Sequence, residues 1–225
     1  LLFGVAPKTG IVHNVDEEAR VLEKVRFILV AREPTLAQAW RDAFDEFEAF
    51  EVVEGDIFDQ QADAIVSPAN SFGFMDGGIE LLYSQHFGWD VEQRVREVLL
   101  REHDGELPVG QAIVVETGHA QVKFLISAPT MRVPMDVSKT ANAHLAFRAV
   151  LRAVRSFNQA RPDAIRTVLC PGLATGEGRM PPERCAFQMR LAYQVCVQDQ
   201  ALRKGGLAAA VEQHLSLIGG HEPKA

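Results

Sequence analysis

Short runs of apolar, β-branched residues alternate along this chain with longer stretches in which apolar residues recur at helical spacing, and that alternation predicts an α/β architecture. Val25-Arg26-Phe27-Ile28-Leu29-Val30 has strand composition. Pro34-Thr35 then opens a helix with Leu36, Trp40, Phe44 and Phe47 on one face, an aromatic stripe of the kind that packs into a core. Further strands are expected at 51–54 and 63–67, where Ala62-Asp63-Ala64-Ile65-Val66 reads as buried. Helices follow near 79–86 and 91–103.

Beyond the turn at 105–110, residues 111–116 and 122–127 read as strands around Gly118-His119, paired as a hairpin or joined by a short connection. Ala143, Ala146, Phe147, Val150, Leu151 and Val154 mark a long amphipathic helix over 139–157. Residues 165–170 form the last strand. Pro181-Pro182 starts a helix running to about Arg203, where Gly205-Gly206 ends it, and a shorter helix covers 207–218. The expected organisation is a flexible N-terminal arm (1–22), a single domain (23–218) and a C-terminal tail (219–225). Its fold class is a three-layer α/β/α sandwich with a mixed, mostly parallel central sheet.

Composition narrows the function. A chain of 225 residues is long enough for one sizeable domain, and its 47% hydrophobic content suits an ordinary core. The formal charge of 23 − 30 = −7 argues against a general nucleic-acid surface and against attraction to anionic membranes. Any phosphate it binds is therefore held locally by amides. Three cysteines without metal-like spacing fit a reducing cytoplasm, and no apolar run reaches the roughly 20 residues of a membrane span. Leu1 to Val5 lacks the basic leader and long apolar core of a signal peptide.

Two loops carry the candidate chemistry. The first, Ser67-Pro68-Ala69-Asn70-Ser71-Phe72-Gly73-Phe74-Met75-Asp76-Gly77-Gly78-Ile79, runs from a buried strand to a helix start. The second, Pro171-Gly172-Leu173-Ala174-Thr175-Gly176-Glu177-Gly178-Arg179-Met180, does the same. Glycines before a helix let backbone N–H groups surround a phosphate, although a tight turn alone also favours glycine. Neither loop is a Walker motif or a dinucleotide fingerprint. In a parallel sheet both would open on one edge, so a single ligand could span them.

In this order and spacing, Val53-Glu54-Gly55-Asp56-Ile57, then Ala64-Ile65-Val66-Ser67-Pro68-Ala69-Asn70 with Gly77-Gly78, then Pro171-Gly172-Leu173-Ala174-Thr175-Gly176, resemble the signature stretches of the macrodomain family, the ADP-ribose-binding or Appr-1''-p-processing type. The resemblance covers about residues 50–200. It implies binding of ADP-ribose and hydrolysis of ADP-ribosyl linkages, on protein or on O-acetyl-ADP-ribose. The alternative is a non-catalytic ADP-ribose or nucleotide-metabolite binding module.

By that resemblance Asp56 accepts from the adenine amino group beside the Ile57 backbone, and Asn70 binds the distal ribose. Gly77, Gly78 and Ile79 supply amides to that ribose and its phosphate. Gly172, Ala174, Thr175, Gly176, Glu177 and Gly178 cradle the diphosphate. The partner is ADP-ribose or an ADP-ribosylated substrate, nucleic acid only if so modified, with no cofactor, no metal and no membrane.

The chain also departs from the family pattern. Asp76 precedes the glycine pair and is a candidate helix N-cap, while Glu80 follows two residues after it. Asn70 and Glu80 are the catalytic candidates, Glu80 as a base for water or simply as a first-turn acid favoured by the helix dipole. Gly178 and Met180 stand where aromatics often occur, leaving Phe72 or Phe74 to stack on the ribose. The histidines show no metal spacing, and Cys170 reads as a buried thiol.

Overall fold

In a computed structural model, which describes residues 21–197 and 206–219, six strands form one sheet in the order β2-β1-β6-β3-β5-β4. The strands are β1 (Arg26–Ala31), β2 (Phe50–Glu54), β3 (Ala64–Ser67), β4 (Ile113–Glu116), β5 (Phe124–Ser127) and β6 (Thr167–Cys170). All neighbours run parallel except β4 and β5, which pair antiparallel with Ile113 opposite Ser127. The choice between hairpin and looser connection thus resolves as an antiparallel hairpin at one sheet edge.

Helices bounded within the described residues accompany the sheet: α1 (Pro34–Phe44), α2 (Gly78–Phe87), α3 (Asp90–Glu102), α4 (Asn142–Ala160), α5 (Pro182–Val197) and α6 (Gly206–Leu217). Strand side chains alternate between faces, so each strand feeds two cores. On one face Phe27, Leu29, Val66, Ile126 and Val168 pack with Trp40 of α1, Phe147 of α4 and Met189 of α5. On the other, Ile28, Val30, Ile65, Leu125 and Leu169 meet Tyr83 of α2 and Val95 and Leu99 of α3. This is the expected three-layer sandwich. The predicted stripe of Leu36, Trp40, Phe44 and Phe47 is buried throughout. Each such side chain contributes roughly 1.5–3 kcal/mol relative to exposure.

Most of the N-terminal arm and the C-terminal tail, together with the predicted end of the long helix near Arg203, lie outside the described residues. Within the arm's last positions, Leu22 is fully buried in the first core. Among the described residues no helix is long and apolar enough to cross a membrane. Because β2, β1, β6, β3 and β5 all point the same way, their C-terminal ends deliver five connections to one edge. In parallel sheets that edge is where ligands bind.

Candidate functional site

A cavity of about 530 Å³ opens at this edge, between the loops after β3 and β6. That size falls within the roughly 300–1,000 Å³ of small-molecule sites. Of the predicted site residues, Ile57, Asn70, Gly77, Gly78, Glu80, Gly172, Ala174, Thr175, Gly176, Glu177, Gly178 and Ile79 all line it. Asp56 stands outside the lining.

The first loop is organised by Asn70. Its Oδ1 accepts from the amides of Phe72 and Phe74 at 3.0 and 3.3 Å, and its Nδ2 donates to the Phe74 carbonyl at 2.7 Å. This is the short-range turn bonding typical of Asn. One Nδ2 hydrogen remains for a ligand. From outside the loop, Glu92 of α3 accepts from the Met75 amide and Ser84 of α2 donates to the Met75 carbonyl, both at 3.0 Å. Gly77, not Asp76, occupies the N-cap position of α2 and offers no side-chain bond, so the first-turn amides of α2 have no cap competing with a ligand. Asp76 is instead an exposed acid on the cavity wall.

Glu80 sits in the first turn of α2 and is only 8% exposed. The Ser67 hydroxyl at the end of β3 donates to its Oε1 at 2.9 Å, and the nearby backbone N–H of Asn70 also favours the charged carboxylate. Burial pushes its pKa up from 4.5 to about 7, against the pull of those two donors and with a small push from Glu92 and Asp76. A helix N-terminus would lower it, so burial is the larger effect here. The result is a carboxyl poised to exchange a proton near neutrality inside a cleft.

The second loop closes on itself. Met180 N donates to Ala174 O and Arg179 N to Gly176 O, both at 2.9 Å, and Val137 N donates to Gly178 O at 3.0 Å. Ala174 and Arg179 hold left-handed conformations at φ 62° and 52°, uncommon for residues with a Cβ. A Cβ on Gly172 would stand 2.2 Å from Thr175 Oγ1, and one on Gly178 would stand 2.5 Å from Ala174 O. Only Gly176 is open to its surroundings. Of the two candidate aromatics, Phe74 lines the cavity, with the Arg96 guanidinium 4.5 Å over its ring, while Phe72 lies off it under Arg132.

At the far end, the Phe58 amide and then the Arg32 guanidinium hold the Asp56 carboxyl below its usual range. Asp56 caps the short turn Ile57–Asp59. Phe58 lines the cavity and is stacked on His86, ring centroids 4.3 Å apart. Burial, then His119, pushes the His86 pKa down. Cys170 is fully buried and its thiol is pushed well up by burial, which suits an inert core residue. Among the described residues no group of three His, Cys, Asp or Glu side chains is placed to hold a metal ion.

Sequence reading missed several lining residues: Arg32, Leu36, Phe58, Thr130, Met131 and Pro134. Arg32 directly follows β1, so the parallel-edge rule would have found it once β1 was placed beside β6. Thr130 had no signal. It lies in the irregular segment after β5, and its buried Oγ1 has no hydrogen-bond partner among the described residues.

Comparison with known proteins places this geometry. The Macro domain family model matches residues 66–189. An uncharacterized protein of Aquifex aeolicus is 34% identical over 138 residues, covering 61% of this chain and 76% of that one. A macro domain-containing protein of Caldanaerobacter subterraneus is 27% identical over 66% of this chain and 79% of its own length. Among solved structures, the macrodomain of Mycobacterium tuberculosis DarG aligns with a TM-score of 0.53 at 26% identity, over 64% of this chain and 88% of that one. A variant Oceanobacillus iheyensis macrodomain solved with ADPR aligns with a TM-score of 0.50 at 15% identity, over 70% and 91%, a likeness of fold.

Proposed function

The chain belongs to the Macro domain family, and from that premise we propose that its cavity binds ADP-ribose and hydrolyses ADP-ribosyl linkages on protein or on O-acetyl-ADP-ribose. One observation carries the reading: the same cavity is lined by two glycine-rich loops, the uncapped first turn of α2, and Phe58 of the segment after β2. The diphosphate lies along Gly172 to Gly178 and the α2 amides, held by N–H groups rather than by a cationic field. The distal ribose lies between Asn70 and the Gly77-Gly78-Ile79 turn, beside Phe74. The unit carrying the site is residues 23–218.

In the hydrolytic step, Glu80 takes a proton from water as the water oxygen bonds to the anomeric carbon. The bond from that carbon to the leaving oxygen breaks, and the electron pair departs with the leaving group. A carboxylate leaving group needs no added proton, so positioning and a base suffice. Asn70 acts mainly by shaping the 70–74 turn that sets the sugar against Glu80.

A second reading, a non-catalytic ADP-ribose binding module, is favoured by the bond that the Ser67 hydroxyl makes to Glu80, since it ties the carboxylate into the fold. Calorimetry with ADP-ribose and release of ADP-ribose from a modified protein separate the two. The enzyme reading expects binding and turnover in the native protein, with turnover lost and binding kept in Glu80→Gln. Binding without turnover leaves the module, and no binding removes both.

A further inference from the structure

The base end of the cavity is built differently from what its most suggestive residue predicts. Asp56 is the position that the resemblance assigns to the base, yet it lies outside the lining while Arg32 lies within it. Both carboxylate oxygens of Asp56 are engaged: Oδ1 accepts from the Phe58 amide at 3.0 Å and Oδ2 from Arg32 Nη2 at 2.5 Å. A guanidinium has five N–H donors in a planar fork. Among the described residues it makes one bond, to Asp56, which leaves its other N–H donors for a ligand in the cavity that it lines.

A matched comparison lies at the other end of the same strand pair. Arg26 at the start of β1 makes an equally exposed ion pair with Glu51 of β2, and neither residue lines the cavity. The two pairs share strands, residue chemistry and exposure. They differ in whether the guanidinium borders a binding space.

We propose that Arg32 is a base-reading residue: its remaining N–H donors meet the ring acceptors of a purine seated against Phe58, while Asp56, beside the lining rather than in it, orients the guanidinium and has a carboxylate lone pair left for the amino-group contact that the resemblance implies. The inference rests on the ADP-ribose reading above and adds what selects the base. Adenine presents an acceptor, N7, beside a donor, the N6 amino group. An Arg–Asp pair presents a donor beside an acceptor, the complement of that edge. A lone carboxylate would read only the amino group, and a lone guanidinium would prefer two acceptors, as in hypoxanthine or guanine. The pair is neutral overall, so it meets an uncharged base without stranding a charge.

The test is calorimetric titration of ADP-ribose and its hypoxanthine counterpart into the native protein and the variants Arg32→Ala, Asp56→Asn and Arg26→Ala. Arg32→Ala is expected to weaken both ligands by about 10- to 100-fold, the effect of losing hydrogen bonds from a charged donor. Asp56→Asn should weaken ADP-ribose more than the hypoxanthine ligand, narrowing the preference between them. Arg26→Ala should match the native protein. If ADP-ribose binds and Arg32→Ala behaves like Arg26→Ala, Arg32 is a surface ion pair and the inference falls while the binding reading stands. Tighter binding by Arg32→Ala also overturns it, since the guanidinium would then be screening Asp56. A native protein that binds neither ligand removes both the inference and the reading beneath it.

Discussion

The two glycine-rich loops look alike in composition and are held in opposite ways. The loop after β3 is braced by side chains: Asn70 from within gathers the Phe72 and Phe74 amides, and Glu92 and Ser84 from outside pin Met75. Its Gly77 and Gly78 face open space. The loop after β6 is braced by its own backbone, and Gly172 and Gly178 are glycines because Thr175 and Ala174 occupy the space a Cβ would need. In the first loop the glycine pair leaves room for a ligand. In the second, two of the three glycines leave room for the loop itself, and only Gly176 has open space where a Cβ would stand.

This contrast can be broken or sharpened by experiment. The largest effect is expected at Glu80, buried in the first turn of the helix that the first loop leads into, whereas the acid of the second loop, Glu177, is exposed. Glu80→Gln should lower turnover by about 10²- to 10⁴-fold, the usual share of a general base. Native turnover should rise with pH and level off above about 7, as the carboxylate form becomes dominant. A single-turnover pH profile of ADP-ribose release checks both, and an unchanged rate would make Glu80 a brace of the first loop only.

Next comes stability against pH. The folded-state pKa of Glu80 is raised from 4.5 to about 7, so the folded protein holds this proton more tightly than the unfolded chain. The associated stability is fully present below about 4.5 and is lost as pH rises through about 7. Its size is on the order of 3 kcal/mol. Urea unfolding at pH 5 and pH 8 should show this slope in the native protein and a flatter profile in Glu80→Gln.

Gly178→Ala should follow, costing about 1–3 kcal/mol through overpacking against the Ala174 carbonyl, visible as a lower Tm. The smallest effect on stability is expected from Gly77→Ala, about 1 kcal/mol or less, since no atom lies within 4 Å of the new methyl and the cost is only that of alanine at a helix N-cap. It should nonetheless weaken ADP-ribose binding. If Gly77→Ala destabilises as much as Gly178→Ala, the distinction between the loops is wrong.

Much of this was legible in the residues. Strand and helix periods placed all six strands, and Leu36, Trp40 and Phe44 located the core face of α1, because burial on one side imposes a repeat that local spacing displays; Phe47, expected on the same helix face, is buried from the turn beyond it. The hairpin of β4 and β5 was left open because two short strands carry the same alternation whichever way they pair. Phe72 and Phe74 could not be told apart for a similar reason: two residues of one type in one loop differ only in what docks against them, Arg132 in one case and Arg96 with the cavity in the other.

The amino-acid sequence by itself determined the α/β class, the order of elements and the two loops that bracket the site, since each depends on periodicity and backbone freedom within a few residues. Tertiary structure alone decided which groups those loops meet. Glu80 became a neutral-range acid because the docking of α2 under β3 excludes water from it. Arg32 lines the cavity because β1 lies parallel between β2 and β6 and brings its end to the edge where both loops open, while Asp56 stands outside the lining. Burial and cross-strand register arise from contacts between distant segments, and no local pattern encodes them.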